Sequence, residues 1–296
     1  MNHDTIIDDP DFVPTDAPAL PQASRVLFAE PTHFDVAYVI NAHMAGHVGQ
    51  VDTELAFRQW EAVVAAYKAI GFEAHVVEAA PGLPDLCFVA NQSFPLRRTD
   101  GSHVALLSNM TAPQRRPEVD VLAEWYAANG WETVRLPRTT VHFEGMGDAV
   151  WHPGHRVVYG GYGWRTHQSA YLARTYTVDA PVVALELCDA RFYHLDTCFA
   201  ALDAETALYV PEAFTPVARR MLQRCFPKLL RVPLDEAVDA LACNGHCPDQ
   251  KHFIVDQAAP KTMALVREAG FEAVGVDTSE FRKSGGSVQC LKLMLG

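Results

Sequence analysis

A recurring pattern of one helix and several strands constrains the fold of this chain most. Helical patterns, with apolar residues three or four positions apart, return roughly every 45 to 65 residues. Proline opens three of them, and Gly71 and Gly270 follow the ends of two, as helix capping favours. The pattern predicts five copies of one supersecondary unit, with helices at 53–70, 117–129, 167–176, 216–226 and 260–269.

Short apolar runs between these helices are rich in β-branched and aromatic residues, which favours strands. They begin with a strand at 25–30 and continue as HVALLS, RVVYGGYG, VVALELC, ALYVPEAF, HFIVDQ and VQCLKLML. Several strands and one helix in each of five units predict an α/β fold, a propeller of five blades. A doubly wound sheet is the competing interpretation, but the Gly-rich phosphate loop expected after its first strand is missing from the sequence.

The chain has 296 residues and is 49% hydrophobic, enough for one large core or two ordinary ones. Residues 1–24 are rich in Asp, Pro and Ala and have no apolar period, so they predict a flexible N-terminal arm. No linker follows, and residues 25–296 are expected to form a single catalytic domain. The sequence does not decide the oligomeric state and is compatible with a homo-oligomer.

The charge distribution excludes several classes of partner. The formal net charge is −12, and no Lys/Arg cluster with interleaved aromatic residues offsets it, so nucleic acid is not an expected partner. No apolar run approaches the roughly 18 residues of a membrane span, and the acidic N-terminus does not resemble a secretory signal. We expect a cytoplasmic protein whose acidic surroundings suit a small cationic ligand.

Seven scattered cysteines form an odd set, which predicts reduced thiols rather than a disulfide framework. The segment CNGHCPDQKH, residues 243–252, contains two Cys and two His, but their spacing does not match a zinc finger or ribbon. We expect no metal and no other cofactor. Within this segment, Asn244 is the residue of most interest. Four other cysteines are interpreted as small buried hydrophobic residues: Cys87, Cys188, Cys198 and Cys225.

Two segments carry paired acid and base groups. Glu144 and Asp148 flank a Gly-Met-Gly turn, where two carboxylates can converge, although both could equally be ordinary turn residues. His194 and Asp196 are two positions apart, so on a strand they would share one face. A histidine beside a carboxylate suits proton transfer near neutral pH. The alternative is a structural, half-buried histidine.

Cys290 is a candidate nucleophile because Gly285, Gly286 and Ser287 precede it, and small residues allow a ligand to approach closely. Its alternative role is that of a buried hydrophobic residue. By contrast, Arg115 and Arg116 are interpreted as solvated residues ahead of a helix, with anion binding as the less favoured alternative.

These segments together resemble the guanidino-group-modifying, or pentein, superfamily, whose fold is a five-bladed α/β propeller. The likeness spans nearly all of residues 25–295 and is greatest to arginine dihydrolases of cyanobacterial type, through EPTHFDVAYVIN, PDLCFVAN, FEGMGDAV, GYGWR, RFYHLDTCF, ACN and the GGS-to-Cys290 ending. The resemblance implies catalytic roles for Cys290, His194 and Glu144. It also implies a substrate-binding group made of Asn41, Asn91, Asp148, Arg165, Asp196 and Ser287.

The activity implied by this resemblance is cysteine-dependent hydrolysis of a guanidino C–N bond through a covalent thiouronium. Asn91 stands where deiminases and dimethylarginine hydrolases carry Asp, which favours the dihydrolase reaction from arginine to ornithine, ammonia and carbon dioxide. Asn109, however, replaces an expected carboxylate-binding Arg. The alternatives are dimethylarginine dimethylaminohydrolase, arginine deiminase and, as a different class, a non-catalytic propeller that only binds.

Overall fold

The computed structural model describes residues 6–7, 12–136 and 142–296, apart from the side chains of 173–177. Within these ranges the helices are α1 Thr53–Ala69, α2 Arg116–Ala128, α3 Gly145–Asp148, α4 Ser169–Val178, α5 Pro216–Cys225, α6 Leu234–Asp239, α7 Pro260–Glu268 and α8 Ser279–Arg282. The strands are β1 Arg25–Ala29, β2 Glu73–Val77, β3 Ser93–Arg97, β4 His103–Leu107, β5 Glu132–Arg135, β6 Ala149–Trp151, β7 Val158–Tyr162, β8 Val182–Glu186, β9 Phe199–Ala201, β10 Thr206–Tyr209, β11 Lys228–Arg231, β12 His252–Asp256, β13 Glu272–Val276 and β14 Lys292–Leu295.

One arrangement of strands and helix recurs through the described ranges, where the strands form five small sheets. In the second sheet, β3 pairs antiparallel with β4, α2 follows, and β5 pairs parallel with β4. The sheets β6-β7-β8 and β9-β10-β11 repeat this order around α4 and α5. The sheet β12-β13 is smaller, with a single antiparallel bridge between His246 and Ile254 beside it. The five predicted helices are confirmed, each within two residues of its expected bounds.

The C-terminal strand β14 completes the first sheet by pairing antiparallel with β1, so that Phe28 lies opposite Lys292. Strand β2 pairs with β1 in parallel on the other side. The backbone just before β14 is held as well, because Ala90 N donates to Cys290 O over 3.2 Å. Cys290 is thereby fixed between the first sheet and the segment that contains Asn91.

The outer parallel strands were the part of the sheets that apolar runs did not predict. β2, β5, β11 and β13 each begin with an exposed Glu or Lys, and most of their remaining residues are only partly buried. A strand that packs on one side only and ends a sheet needs no continuous apolar run. The inner strands, which are buried on both faces, carry the runs seen in the sequence.

The N-terminal segment packs on the domain wherever it is described. Phe12 and Ala17 are buried in one of the hydrophobic clusters, and Leu20 N donates to Gly154 O over 3.0 Å. Burial of Phe12 and Ala17 attaches residues 12–20, which corrects the expectation of a flexible arm for that part of the segment. No helix in the described ranges combines the length and apolar character that a membrane span requires.

Candidate active site

Five of the predicted site residues meet at one narrow cavity of about 20 Å³. That volume holds about one water molecule, so a larger ligand must displace side chains to enter. The residues come from five separate loops, and this shared position could not be deduced from spacing alone. They are Asn41, Asn91, Arg165, His194 and Cys290.

His194 pairs with Glu144 rather than with Asp148. Its Nε2 lies 2.8 Å from Glu144 Oε2 and 4.0 Å from Asp148 Oδ2. Both carboxylates belong to one turn, because Glu144 is the residue before the short helix α3 and Asp148 is its last residue. The pairing orients the imidazole and leaves Nδ1, the opposite ring nitrogen, for proton transfer.

Asp196 does not share a strand face with His194, and that prediction was wrong. His194 has extended backbone, but Leu195–Thr197 forms a single 3-10 turn, held by Thr197 Oγ1 donating to His194 O over 2.6 Å. The turn directs Asp196 toward the thiol of Cys290, with Sγ and Oδ2 3.3 Å apart. A three-residue turn rotates the second side chain away from the alternating pattern of a strand.

Glu144 is completely buried and is still an anion. It accepts hydrogen bonds from Thr111 N at 2.9 Å and Arg165 Nη1 at 3.1 Å, in addition to His194. Burial by itself raises the pKa of this carboxyl, but the hydrogen bond and charge of His194 and the charge of Arg165 outweigh it. The net result is a pKa well below the ordinary value.

Asn244 contacts the thiol of Cys290 but does not line the cavity. Its Nδ2 is 3.3 Å from Cys290 Sγ, while its Oδ1 accepts from Ser287 N at 2.8 Å and from Cys290 N at 3.3 Å. One amide therefore fixes both the side chain and the backbone of Cys290. Its ACN motif was part of the sequence likeness, but only the structure shows this contact.

The surroundings of Cys290 disfavour its thiolate form. Burial and the neighbouring Asp196 carboxylate raise its pKa well above the ordinary value, against a smaller lowering by the hydrogen bond from Asn244. Burial also raises the pKa of Asp196 to about 7. An apolar environment without a bound cation disfavours both anions. A positively charged substrate would favour both.

Alkylation of Cys290 by neutral iodoacetamide should consequently be slow at pH 7 and rise about tenfold per pH unit to pH 9, as the thiolate fraction grows. Peptide mass spectrometry after timed quenching gives the rate at Cys290. The exposed Cys188 supplies an internal reference, and a Cys188→Ser variant removes its background. A rate that is already pH-independent below pH 7.5 would show that the thiolate exists without substrate.

Arg115 is buried and was wrongly interpreted as solvated, since only 4% of it is exposed. Its guanidinium lies 2.9 Å from Glu118 Oε2 and 4.0 Å from Asp85 Oδ2, and its Nη1 donates to Asn91 Oδ1 over 3.1 Å. These acceptors compensate the loss of water. The bond to Asn91 also fixes the amide orientation, so that Nδ2 remains a donor. Arg116 donates to Met110 O instead.

Three buried polar atoms around the site have no hydrogen-bond partner among the described residues. They are Asp148 Oδ2, Asp196 Oδ1 and Asn91 Nδ2. Asp148 is otherwise fixed by Leu195 N, which donates to Oδ1 over 2.9 Å, and burial raises its pKa to about 6. Unpartnered buried groups are rare in folded proteins and often mark a ligand position. Two acceptors and one donor are thus available to a substrate.

The remaining predicted residues have structural partners. Asn41 Oδ1 accepts from His43 N and Met44 N, and its Nδ2 donates to Ser284 O over 2.9 Å, which fixes the loop above the cavity. Arg165 Nη2 reinforces that loop by donating to Ile40 O. Ser287 is buried 2.7 Å from the Thr278 hydroxyl, and the structure does not bring its side chain into the cavity.

Asp85 is a cavity residue that sequence reasoning missed. It is buried, and it accepts from Tyr38 Oη at 2.6 Å and from Ser284 Oγ at 3.0 Å. It lies in the PDLCFVAN motif, but nothing in that motif distinguishes Asp85 chemically. Asn109, where an arginine was expected, forms a backbone bridge with Phe143. Arg115 and Arg165 are the cations that line the cavity.

Glycines near the site allow close packing. A Cβ at Gly147 would lie 2.4 Å from Asn91 Nδ2 and 3.3 Å from His194 Nδ1, so only glycine permits these two groups to approach the turn. A Cβ at Gly286 would lie 2.3 Å from the Phe88 ring. Gly286, the second glycine before Cys290, therefore leaves room for the Phe88 ring.

The histidines of residues 243–252 have other partners. His246 Nδ1 lies 2.9 Å from Tyr67 Oη, and His252 Nδ1 lies 2.6 Å from Asp249 Oδ2. In the part of the chain that is described, no three His, Cys, Asp or Glu side chains are placed to hold a metal ion. All seven cysteines lie in that part and are free.

The sequence of this chain is similar to one protein family model and to several known proteins. Residues 30–295 match the family model described as N,N dimethylarginine dimethylhydrolase, eukaryotic. An N(G),N(G)-dimethylarginine dimethylaminohydrolase from Mycobacterium tuberculosis is 37% identical over 92% of this chain and 86% of its own length. The bifunctional arginine dihydrolase/ornithine cyclodeaminase ArgZ from Synechocystis is 34% identical over 91% of this chain, which spans only 37% of that protein.

Crystal structures of the N-terminal domain of ArgZ superimpose with a TM-score of 0.85 and 33% identity, over 92% of this chain and 97% of that domain. One was solved bound to product, and another, a variant, covalently bound to a reaction intermediate. The α/β fold described above is shared with these structures.

Proposed function

Since the chain belongs to the dimethylarginine dimethylaminohydrolase family of guanidino-group-modifying enzymes, we propose that it hydrolyses arginine to ornithine, ammonia and carbon dioxide. Enzymes of this family are hydrolases of guanidino C–N bonds, and this chain is one of them. The observation that supports a guanidino substrate is the set of three unpartnered atoms, Asp148 Oδ2, Asp196 Oδ1 and Asn91 Nδ2.

The two carboxylate oxygens suit a guanidinium group. Asp148 and Asp196 each have one oxygen already occupied, by Leu195 N and Cys290 Sγ respectively, and one oxygen free to accept from substrate N–H groups. Charge-assisted hydrogen bonds of this kind hold a planar cation and localise its charge. The positive charge of a bound guanidinium also favours the ionised forms of both carboxyl groups, whose pKa values burial raises.

Cys290 is the proposed nucleophile. Its thiolate forms a bond to the guanidinium carbon, the C–N bond to one terminal amino group breaks, and His194 gives that group the proton with which it leaves as ammonia. A thiouronium remains attached to Cys290. Water then attacks the same carbon, His194 accepts its proton, and the C–S bond breaks to release citrulline and the thiol. Glu144 orients His194 throughout.

The Asn91 amide distinguishes a dihydrolase from a deiminase. Citrulline is neutral and carries a carbonyl oxygen, to which Asn91 Nδ2 can donate because Arg115 occupies Oδ1. A carboxylate at this position could still accept from Arg115, but it would present an acceptor where the ureido carbonyl oxygen needs a donor. A second cycle on citrulline then releases ammonia, and carbon dioxide and ornithine follow. In this proposal Arg165 and Asn41 bind the end of the substrate remote from the guanidine.

Replacing Asn91 by aspartate should separate the two cycles. We expect ornithine formation to fall about 10- to 100-fold, since a donor is lost and a buried acceptor gained, while citrulline accumulates. Liquid chromatography with mass detection gives the citrulline-to-ornithine ratio over time, with the wild-type chain as reference and circular dichroism to confirm folding. An unchanged ratio in a folded N91D variant would remove Asn91 from this role.

Dimethylarginine hydrolysis is the second candidate, because both the family model and the Mycobacterium tuberculosis relative carry that description. Parallel incubation with arginine, citrulline and dimethylarginine, with ammonia and dimethylamine measured, decides between them. Ornithine from arginine and from citrulline supports the dihydrolase. Dimethylamine released without ornithine from arginine supports the alternative, and no turnover of any of the three contradicts both.

We also infer the arrangement of the whole domain. Residues 25–296 form one domain in this proposal, and its five sheets stand as five blades of a propeller around the site. The seven free cysteines support a reducing, cytoplasmic location. A homo-oligomer is compatible with the chain, and light scattering coupled to size-exclusion chromatography would determine its state.

A further inference from the structure

A second cavity, of about 710 Å³, is far larger than the candidate active site. Its volume lies within the range of small-molecule sites. The walls come from β3, β6, β14 and the segment 18–25, and Asn91, His194 and Cys290 are not among its lining residues. The catalytic chemistry described above does not use this space.

The charged side chains that line the second cavity are positive, whereas the net charge of the whole chain is negative. Four arginines and Lys292 line the cavity, and none of the described lining residues is Asp or Glu. Among the described residues, only Arg98 of these five cations has a carboxylate partner, Glu132, at 2.6 Å. Arg156 donates to two backbone carbonyls, at Asp179 and Arg97. A basic cavity in a chain of net charge −12 favours an anionic ligand. The arginines are Arg25, Arg97, Arg98 and Arg156.

One buried side chain in the lining has no hydrogen-bond partner among the described residues. Lys292 is fully buried, and its Nζ is unpartnered. Burial lowers the pKa of Lys292 to about 7, against the raising effect of Asp196 and Cys290. An unpaired buried ammonium is costly, and an anion beside it would offset that cost.

Apolar groups share the lining with these cations. Leu96, Val150, Trp151 and Met294 contribute, and Lys292 and Met294 lie two positions apart on one face of β14. Part of the wall, residues 18–25, lies before residue 30, where the match to the family model begins.

We propose that this cavity binds a small organic anion, a carboxylate or a phosphate carried on an apolar body. Lys292 and the arginines of the lining attract the anionic group, and Trp151 and Met294 contact the apolar part. The proposal concerns binding alone and does not depend on the activity assigned to the first cavity, so the two can fail separately.

The test uses 8-anilinonaphthalene-1-sulfonate, an anion on an aromatic body whose fluorescence rises in apolar surroundings. Titration of the folded chain should show saturable binding of one probe molecule. Lys292→Met should raise the dissociation constant at least tenfold, and Arg25→Gln should raise it several-fold. Lys68→Met, at an exposed position on α1, and Cys290→Ser should leave it unchanged. Arg25 is partly exposed, so that variant keeps the test valid if Lys292→Met does not fold.

Displacement of the probe identifies the ligand chemistry. Benzoate and phenyl phosphate carry the two anionic groups on the same ring, and benzamide is the neutral control. Displacement by either anion but not by benzamide supports the proposal and ranks carboxylate against phosphate. Displacement by neither anion, or equal affinity of the wild-type chain and both charge variants for the probe, would overturn it.

Discussion

Replacing Cys290 by serine is expected to lower the rate of product formation from arginine by more than about 10⁴-fold, the scale seen when a catalytic nucleophile is removed. A serine hydroxyl is a far weaker nucleophile than a thiolate, because it ionises at a much higher pH. Binding of arginine should persist, because the carboxylates of Asp148 and Asp196 remain.

The measurement pairs a turnover assay with calorimetric binding of arginine. Cys188→Ser is the matched control, since Cys188 is exposed and does not line the cavity, and this variant should retain wild-type turnover. A Cys290→Ser protein that keeps turnover within tenfold of the wild-type chain would exclude Cys290 as the nucleophile.

Replacing Glu144 by glutamine is expected to lower kcat by about 10³- to 10⁴-fold with little change in KM. The carboxylate contacts His194 and does not line the cavity, so it acts by positioning the imidazole. Glutamine has the same size but can present its NH₂ group to Nε2, which disfavours the tautomer that the carboxylate selects. Glu144→Asp should recover part of the activity.

Glu118→Gln is the matched control for loss of a buried charge. Glu118 is as buried as Glu144 and pairs with Arg115 at 2.9 Å, but it does not contact His194. We expect a much smaller loss of kcat for this variant than for Glu144→Gln. Equal losses in the two, accompanied by equal falls in melting temperature, would indicate that both glutamates act only on stability.

The five longest helices were predictable from the sequence, whereas the short helices α3, α6 and α8 and some strands were not. The helices α1, α5 and α7 begin at proline or after a capping residue, and each buries one face. Both features leave a pattern in the local sequence, as a start signal and as apolar residues three or four positions apart. β5 has the sequence ETVR, with only Val134 partly buried, and therefore leaves almost none. Its place depends on pairing with β4, which is a contact between distant residues.

The site was predictable as a set of residues but not as a geometry. Whether His194 pairs with Glu144 or with Asp148 depends on a difference between 2.8 and 4.0 Å that no spacing encodes. Arg115 has the local pattern of a solvated residue, because the acceptors that bury it, Asp85 and Asn91, come from another segment. The direction of the Asp196 side chain was not predictable either. It depends on the 3-10 turn after His194, and a turn this short leaves little periodic pattern in the sequence.

The covalent intermediate is the most direct test of the proposed function. The chain should be mixed with arginine, quenched in acid within milliseconds to seconds, and digested for peptide mass spectrometry. The Cys290 peptide is expected to gain the mass of arginine less ammonia. This gain should disappear as substrate is consumed, and the Cys290→Ser variant should show no gain. Turnover of arginine with no such adduct on Cys290, or with an adduct on another cysteine, would contradict the proposed function.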